Sequence, residues 1–227
     1  TTYEKTEAIC RAAKAASKNL AILNTKSKNQ VLEKIAEKLK IKCDKIISEN
    51  EKDLFNAKEN GIPAPMLDRL MLNKERIDGI RDSLVSLIKL PDPIGSGSVT
   101  TTACGLEICC EKVPLGVVAM IYEARPNVTV DAAALCIKTG NAVVLRGGKE
   151  AIFTNLALVC AMKEALSECN ISPDVLGFIE PGQGHESANA LMSMKDCVDV
   201  LIPRGSKRLI EAVVKNSKVP TIETGAG

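Results

Sequence analysis

The apolar run Ala142 to Leu145 leads straight into Arg146, Gly147, Gly148 and Lys149, so two cations flank a stretch of backbone without side chains. Such a pattern suits a phosphate. Arginine offers a planar fork of donors, lysine a mobile point charge, and the glycines let a nucleotide lie against the main chain. A turn before a helix, with two solvated cations, uses the same residues. In "PRGSKRLI", Gly205 and Ser206 precede a helical pattern. Ser206 can cap that helix, whose free amides and positive dipole end suit a pyrophosphate. A plain serine cap is the alternative, and Lys207 and Arg208 read as solvated charges of the helix face. In "EPGQGHES", Gly182 and Gly184 mark a strand-to-helix turn, but Ser187 stands where a dinucleotide fingerprint needs its third glycine. His185 reads as a first-turn helix residue. "YEARPNVTVD" carries Arg125 and Asn127. Asn127 is either a helix cap or an amide donor aimed at a developing oxyanion. Glu223 in "TIETG" suits a general base, a structural carboxylate or a solvated strand end.

These residues need a scaffold that brings them together. The segments "LGVVAMIY", "NAVVLR", "VLGFIE", "VDVLIP" and "VPTIET" read as strands, and helical patterns separate them. The first intervening helix, "VTVDAAALCIKTG", closes at Gly140, where glycine takes a left-handed turn at little cost. Strands alternating with helices predict an α/β fold with a doubly wound parallel sheet, because parallel strands need crossover helices. Ligands of such sheets gather beyond the carboxyl ends of the strands. Those ends read "EARPN", "RGGK", "EPGQG", "PRGS" and "ETGAG", each with a glycine, a charge or both.

Before the sheet, the first ninety residues read as helix. Ser27 with Gln30 opens a capping-box pattern ahead of Val31, Leu32, Ile35, Ala36 and Leu39. Ile46, Ile47, Leu54 and Phe55 repeat the apolar spacing until Gly61 and Pro63 break it. Asn73 can cap a helix bearing Ile77, Ile80, Leu84, Leu87 and Ile88, and "PDPIGSGSVTT" ends it. Val99 to Lys112 reads as one or two extended strands forming a flap.

Composition narrows the function classes. The 227 residues carry a net charge of +2, which gives no strong pull toward nucleic acid or a membrane surface. Two tyrosines, three phenylalanines and no tryptophan argue against base-stacking platforms. No apolar run is long enough to span a bilayer. The nine cysteines include no C-x-x-C and accompany a single histidine. They read as reduced, packed thiols of a cytoplasmic protein, and no metal site is expected.

The block "VPLGVVAMIYEARPNVTVDAAALCIKTGNAVVLRGGKEA" resembles the signature core of the γ-glutamyl phosphate reductases, a branch of the aldehyde dehydrogenase superfamily. "DRLMLNKERI", "LPDPIG" and "LIPRGSKRLI" match the same family, and the likeness runs the length of the chain. The resemblance implies an aldehyde dehydrogenase-like fold. It divides the chain into a helical part at 1–94, a β-flap used in oligomers at 95–113 and a Rossmann-like NADP-binding part at 114–227. It also implies the NADPH-dependent reduction of L-glutamyl 5-phosphate to L-glutamate 5-semialdehyde and phosphate, a step of proline biosynthesis.

In related aldehyde dehydrogenases a lysine stands at the position of Arg146, and an acidic residue three places later holds the adenosine ribose. Here that later position is Lys149, and an ammonium attracts a 2′-phosphate that a carboxylate would repel. NADP(H) is therefore expected, held by Arg146, Gly147, Lys149, Gly182, Gly205 and Ser206. Asn127 aligns with the superfamily's oxyanion asparagine only through a gap, and Arg125 or Asn127 can equally touch substrate. Glu223 sits where hydrolytic relatives keep a base, which an acyl phosphate reductase does not need. The implied mechanism is covalent: a thiolate attacks the acyl phosphate, and the resulting thioester is reduced by hydride. None of the nine cysteines matches the family's nucleophile, which falls in a motif beyond Gly227. The chain is thus expected to be the cofactor-binding portion of a homo-oligomeric enzyme, inactive alone. An isolated dinucleotide-binding module is the alternative.

Overall fold

The computed structural model describes residues 1–182 and 184–223. Helices α1 (Thr2–Ala21), α2 (Thr25–Ile41), α3 (Cys43–Glu59), α4 (Ala64–Leu70) and α5 (Lys74–Lys89) come first. A hairpin of β1 (Gly97–Thr101) and β2 (Glu107–Glu111) follows. The chain then alternates through β3 (Val117–Tyr122), α6 (Pro126–Lys138), β4 (Ala142–Arg146), α7 (Ile152–Glu168), β5 (Leu176–Phe178), α8 (Glu186–Met192), β6 (Val200–Arg204) and α9 (Lys207–Asn216).

Strands β3 to β6 form a parallel sheet in the order β5-β4-β3-β6. The chain builds outward from β3 through β4 to β5, then returns to place β6 on the other side of β3. The direction of winding therefore reverses between β3 and β6, which is where an open sheet of this kind leaves its crevice. β4 is buried at every position but Arg146, as a strand covered on both faces must be. Helix α1 packs across β3, β4 and β5, while α6 and α7 pack together nearer α2, α3 and α5. One core cluster runs from Cys10 in α1 through the strands to Val219.

Several expectations needed correction. The described residues of "VPTIET", 219–223, do not form a strand. Only Thr221 bridges to Leu201, with the Leu201 amide donating to Pro220 O at 2.8 Å and the Ile222 amide donating to Leu201 O at 3.1 Å. Proline lacks the amide that a longer ladder would use. Residues 224–227, including the glycines of "ETGAG", lie outside the described residues, as does Gln183. Helix α2 starts two residues before Ser27, because Asn24 caps it by accepting the Ser27 amide at 2.8 Å. Phe55 points to solvent, and Asp53 and Ala57 face inward on α3 instead. Helix α4 was not expected at all. It seals a small second cluster of Ala57, Leu70 and Ala151.

Local expectations hold at Asn73, Gly140 and the hairpin. Asn73 caps α5 through the Arg76 amide at 2.8 Å, and Gly140 ends α6 at φ +71°. The flap is an antiparallel hairpin with every strand residue exposed. The nine cysteines are free thiols, but the packed reading fits only Cys10, Cys136 and Cys197, which are buried. Cys104, Cys109, Cys110 and Cys160 are exposed. Among the described residues no helix is long and apolar enough to cross a membrane, and no group of three ligating side chains is placed to hold a metal.

Candidate functional site

The ladder pairs Ile121 with Arg146 and Tyr122 with Arg204, so both arginines emerge at the carboxyl rim on either side of β3. Three loops meet there. A side chain at Gly148 would lie 3.4 Å from the Ala124 amide nitrogen, which places the loop after β4 against the loop after β3. From the other side, the Glu123 carboxylate accepts the Ser206 amide and the Ser206 hydroxyl, both at 2.8 Å, tying the loop after β3 to α9. Arg146, Gly147 and Ser206 thus belong to adjoining loops on one rim.

The floor beneath Gly147 is polar. Tyr122 and Thr129 share a hydroxyl hydrogen bond of 2.6 Å, and Thr129 donates to Asn155 Oδ1 at 2.7 Å. Burial pushes the Tyr122 phenol well above its ordinary value. The Asn155 amide nitrogen is fully buried and has no hydrogen-bond partner among the described residues. It lies 2.5 Å from where a Gly147 Cβ would sit, so only glycine brings the main chain over this donor. A buried donor without an acceptor is costly, and its place under the glycine loop marks the loop as a spot where a polar ligand improves the account.

The cations differ in setting. Arg146 is half-buried and donates from Nε to Ser187 Oγ at 3.3 Å. Burial lowers its affinity for the proton, and the nearby Glu150 carboxylate works the other way. Lys149 opens a short 3-10 turn ahead of α7, stands in solvent and makes no ion pair among the described residues. Gly182 is exposed beyond β5 with open space where a Cβ would point, and Glu223 is exposed beyond the Thr221 bridge. His185 is the residue before α8, and its side chain makes no capping hydrogen bond there.

Two helix starts near this rim already carry carboxylates. Asp53, from α3, accepts the Phe153 amide at 3.2 Å, the Thr154 amide at 2.8 Å and the Thr154 hydroxyl at 2.6 Å, which closes the start of α7. Glu123 does the same for α9, where a pyrophosphate was expected. Ser206 is the expected cap as well, accepting the Leu209 amide at 3.4 Å.

Asn127 is not a cap. Arg125 precedes α6, Pro126 takes its first position, and the Asn127 side chain donates to Asp131 Oδ2 at 3.1 Å. Arg125 is exposed. Asn127 and Asp131 line a cavity of about 330 Å³ against α4 and α5, whose lining includes none of the residues under Gly147. Sequence reasoning missed Glu123, Asp131, Glu150 and Asn155. Glu123 sat inside the quoted "EARPN", but its partner is 83 residues distant and no local pattern reveals it.

A rim of anion-seeking loops on a doubly wound sheet, with an N-terminal helical layer and a protruding hairpin, defines the class. The aldehyde dehydrogenase family model matches residues 1–226, and the chain belongs to that family. Within it, the chain is 50% identical over 220 residues to the γ-glutamyl phosphate reductase of Carboxydothermus hydrogenoformans, covering 96% of this chain and 53% of that protein. The enzyme of the same name from Ligilactobacillus salivarius is 49% identical over 218 residues, covering 96% of this chain and 52% of that protein. The solved γ-glutamyl phosphate reductase of Thermotoga maritima superposes with a TM-score of 0.94 at 36% identity, covering 98% of this chain and 54% of that one. The chain therefore spans about half the length of the relatives it matches.

Proposed function

We propose that this chain is the cofactor-binding portion of an NADPH-dependent reductase that converts L-glutamyl 5-phosphate to L-glutamate 5-semialdehyde and phosphate. The observation that carries the reading is the pairing of 50% identity across nearly the whole chain with an unpaired ammonium at Lys149, three residues past Arg146 on the rim.

The residues present fit a dinucleotide. Gly147 leaves a cradle over the orphaned Asn155 amide, and Arg146 and Lys149 stand at the same strand end. Lys149 would hold a 2′-phosphate by simple charge attraction, and Arg146 would orient the ribose edge. The Ser206 hydroxyl and the free amides of α9 would take the pyrophosphate once the Glu123 carboxylate swings aside. When bound, the nicotinamide supplies hydride. Arg125, just before α6, would face the acyl phosphate and offer donors to its oxygens.

The reacting thiol is not among the residues at this rim. Burial pushes Cys10 and Cys136 up to about 12, and the exposed thiols sit on the hairpin and on α7. The reading therefore takes the nucleophile from sequence beyond Gly227. It also takes the all-exposed hairpin, with Val99, Leu106 and Ile108 in solvent, as the contact of a homo-oligomer, and it places the enzyme in the cytoplasm, where free thiols persist. The second reading, a dinucleotide-binding module without activity, would follow if the gene product that carries these residues bound NADPH and gave no turnover.

Fluorescence titration of the chain with NADPH and NADH, followed by an NADPH-oxidation assay with glutamyl phosphate generated in place by a kinase, tests the proposal. Selective NADPH binding by the chain, and turnover by the gene product that carries it, are expected. Tighter binding of NADH, or turnover by residues 1–227 alone, overturns it.

A further inference from the structure

The cavity of about 330 Å³ between α5 and α6 holds the strongest unassigned chemistry of the molecule. Its apolar floor includes Leu72 and Ile80, and Asn127 and Asp131 form one polar wall. Gly79 lies on the facing helix, with open space where its Cβ would point. Glycine is disfavoured inside a helix relative to alanine, and here its effect is to leave room.

The charges at this cavity are mismatched in a telling way. Asp131 is partly buried in the second turn of α6, accepts one hydrogen bond from Asn127 and makes no ion pair among the described residues. Removal from water raises its pKa, against the Asn127 hydrogen bond and the more distant Arg204. Two arginines line the cavity. Arg76 is committed to the end of α4, where it donates to Asp68 Oδ1 at 2.7 Å and to Met71 O at 2.9 Å. Arg69 is exposed and has no hydrogen-bond or ion-pair partner among the described residues. A half-desolvated carboxylate without a cation thus shares a hollow with a guanidinium without an anion. They do not pair with each other, so both are available to a ligand that carries both charges.

We infer that this cavity seats the α-amino acid end of the substrate, with Asp131 taking the α-ammonium, Asn127 beside it, and Arg69 taking the α-carboxylate. The inference rests on the proposed reductase reading and names how the glutamyl group is chosen. The side-chain carbonyl would then run along the start of α6 toward the rim, where the cofactor loops converge. Zwitterion recognition needs two opposed charges at fixed spacing, and a charge-assisted hydrogen bond is the strong form of each contact.

The test uses the whole gene product in the direction of aldehyde oxidation, in which aldehyde, phosphate and NADP⁺ give acyl phosphate, NADPH and a proton. Glutamate 5-semialdehyde is compared with 5-oxopentanoate, which lacks the ammonium, and with 4-aminobutanal, which lacks the carboxylate. Asp131→Asn should raise KM by about tenfold or more for the two amines and leave 5-oxopentanoate nearly unchanged. Arg69→Ala should raise KM for the two carboxylates and spare 4-aminobutanal. The KM for NADP⁺ stays put in both variants, which also shows that they fold. Equal effects on all three aldehydes, or none, overturn the inference.

Should no phosphate-dependent NADP⁺ reduction be found, the reductase reading fails separately. L-glutamate titrated into the chain and followed by NMR then decides for the cavity. Shifts at Asn127 that vanish in Asp131→Asn support it, and shifts that persist there, or no shifts, overturn it.

Discussion

Glu123 reaches from the end of β3 to hold the first residue before α9, its two carboxylate oxygens accepting the amide and the hydroxyl of Ser206 at 2.8 Å each. The carboxylate occupies the place where the dipole and free amides of a helix favour an anion. It also lies against Gly205, whose Cβ would come within 2.6 Å of Glu123 Oε2. In the proposed enzyme this carboxylate competes with the pyrophosphate of the coenzyme. Glu123→Gln should therefore tighten NADPH binding by about two- to fivefold, the size of one helix-end charge interaction, and lower Tm slightly. Isothermal calorimetry reads the first and a thermal melt the second. Weaker binding would make Glu123 part of the cradle and not a competitor.

Lys149→Glu should weaken NADPH binding by roughly tenfold or more while changing NADH binding little, because a solvated carboxylate replaces the cation proposed to face the 2′-phosphate. Fluorescence titration with both coenzymes checks it. An equal change for the two would remove Lys149 from the role of discriminator and turn attention to Glu150.

Asp53 is almost fully buried and closes the start of α7 with three hydrogen bonds. Asp53→Ala removes all three and should cost about 2–4 kcal/mol of stability by urea unfolding. Burial raises the Asp53 pKa in spite of the hydrogen bonds from Thr154 and Phe153. For an acid raised in the folded state, titration favours folding as pH falls through the raised value toward about 4, where the unfolded carboxyl titrates, and that gain is lost as pH rises through the raised value. Measured from neutrality downward, wild type should therefore gain stability relative to Asp53→Asn. A constant gap across that range would contradict the burial argument.

Thiol reactivity should follow environment and not number. At the hairpin tip, Cys104 shares a 3.1 Å contact with the Thr102 hydroxyl, and that contact, with backbone help from Leu106, lowers its pKa. Burial pushes Cys10 and Cys136 up to about 12. Alkylation by iodoacetamide near neutral pH, followed by mass spectrometry, should mark Cys104 first and leave Cys10 and Cys136 unlabelled until the protein unfolds. Labelling of Cys136 alongside Cys104 in the folded protein would refute this order.

The parts of the molecule that were legible are those where neighbours in sequence decide the outcome. Apolar runs such as "NAVVLR" became buried strands, Gly140 took its left-handed turn, and Asn73 and Ser206 capped the helices they precede. Where the neighbour in space decides, reading failed. "VPTIET" has strand composition, but it meets only β6 and pairs at one residue. Asn127 has the type of a cap, but Pro126 begins the helix before it and its amide turns to Asp131. Among site residues the cations Arg146 and Lys149 stood out by type. The acids Glu123 and Asp131 did not, because an ordinary carboxylate becomes unusual only through what faces it, and that is supplied by α9 and by the hollow under α5.

Helix α1 is joined to the far end of the sheet, since Lys14 donates to both oxygens of Asp199 at 2.7 Å across 185 positions of chain. The same carboxylate accepts the Val117 amide at 2.7 Å and so fixes the start of β3. During synthesis the first helix leaves the ribosome long before the residue that anchors it exists. Its inward face, with Cys10, Ala13 and Leu20, must wait uncovered while the strands are made. Long-distance closure of this kind slows folding, because the chain between the two anchors must be ordered before the contact forms.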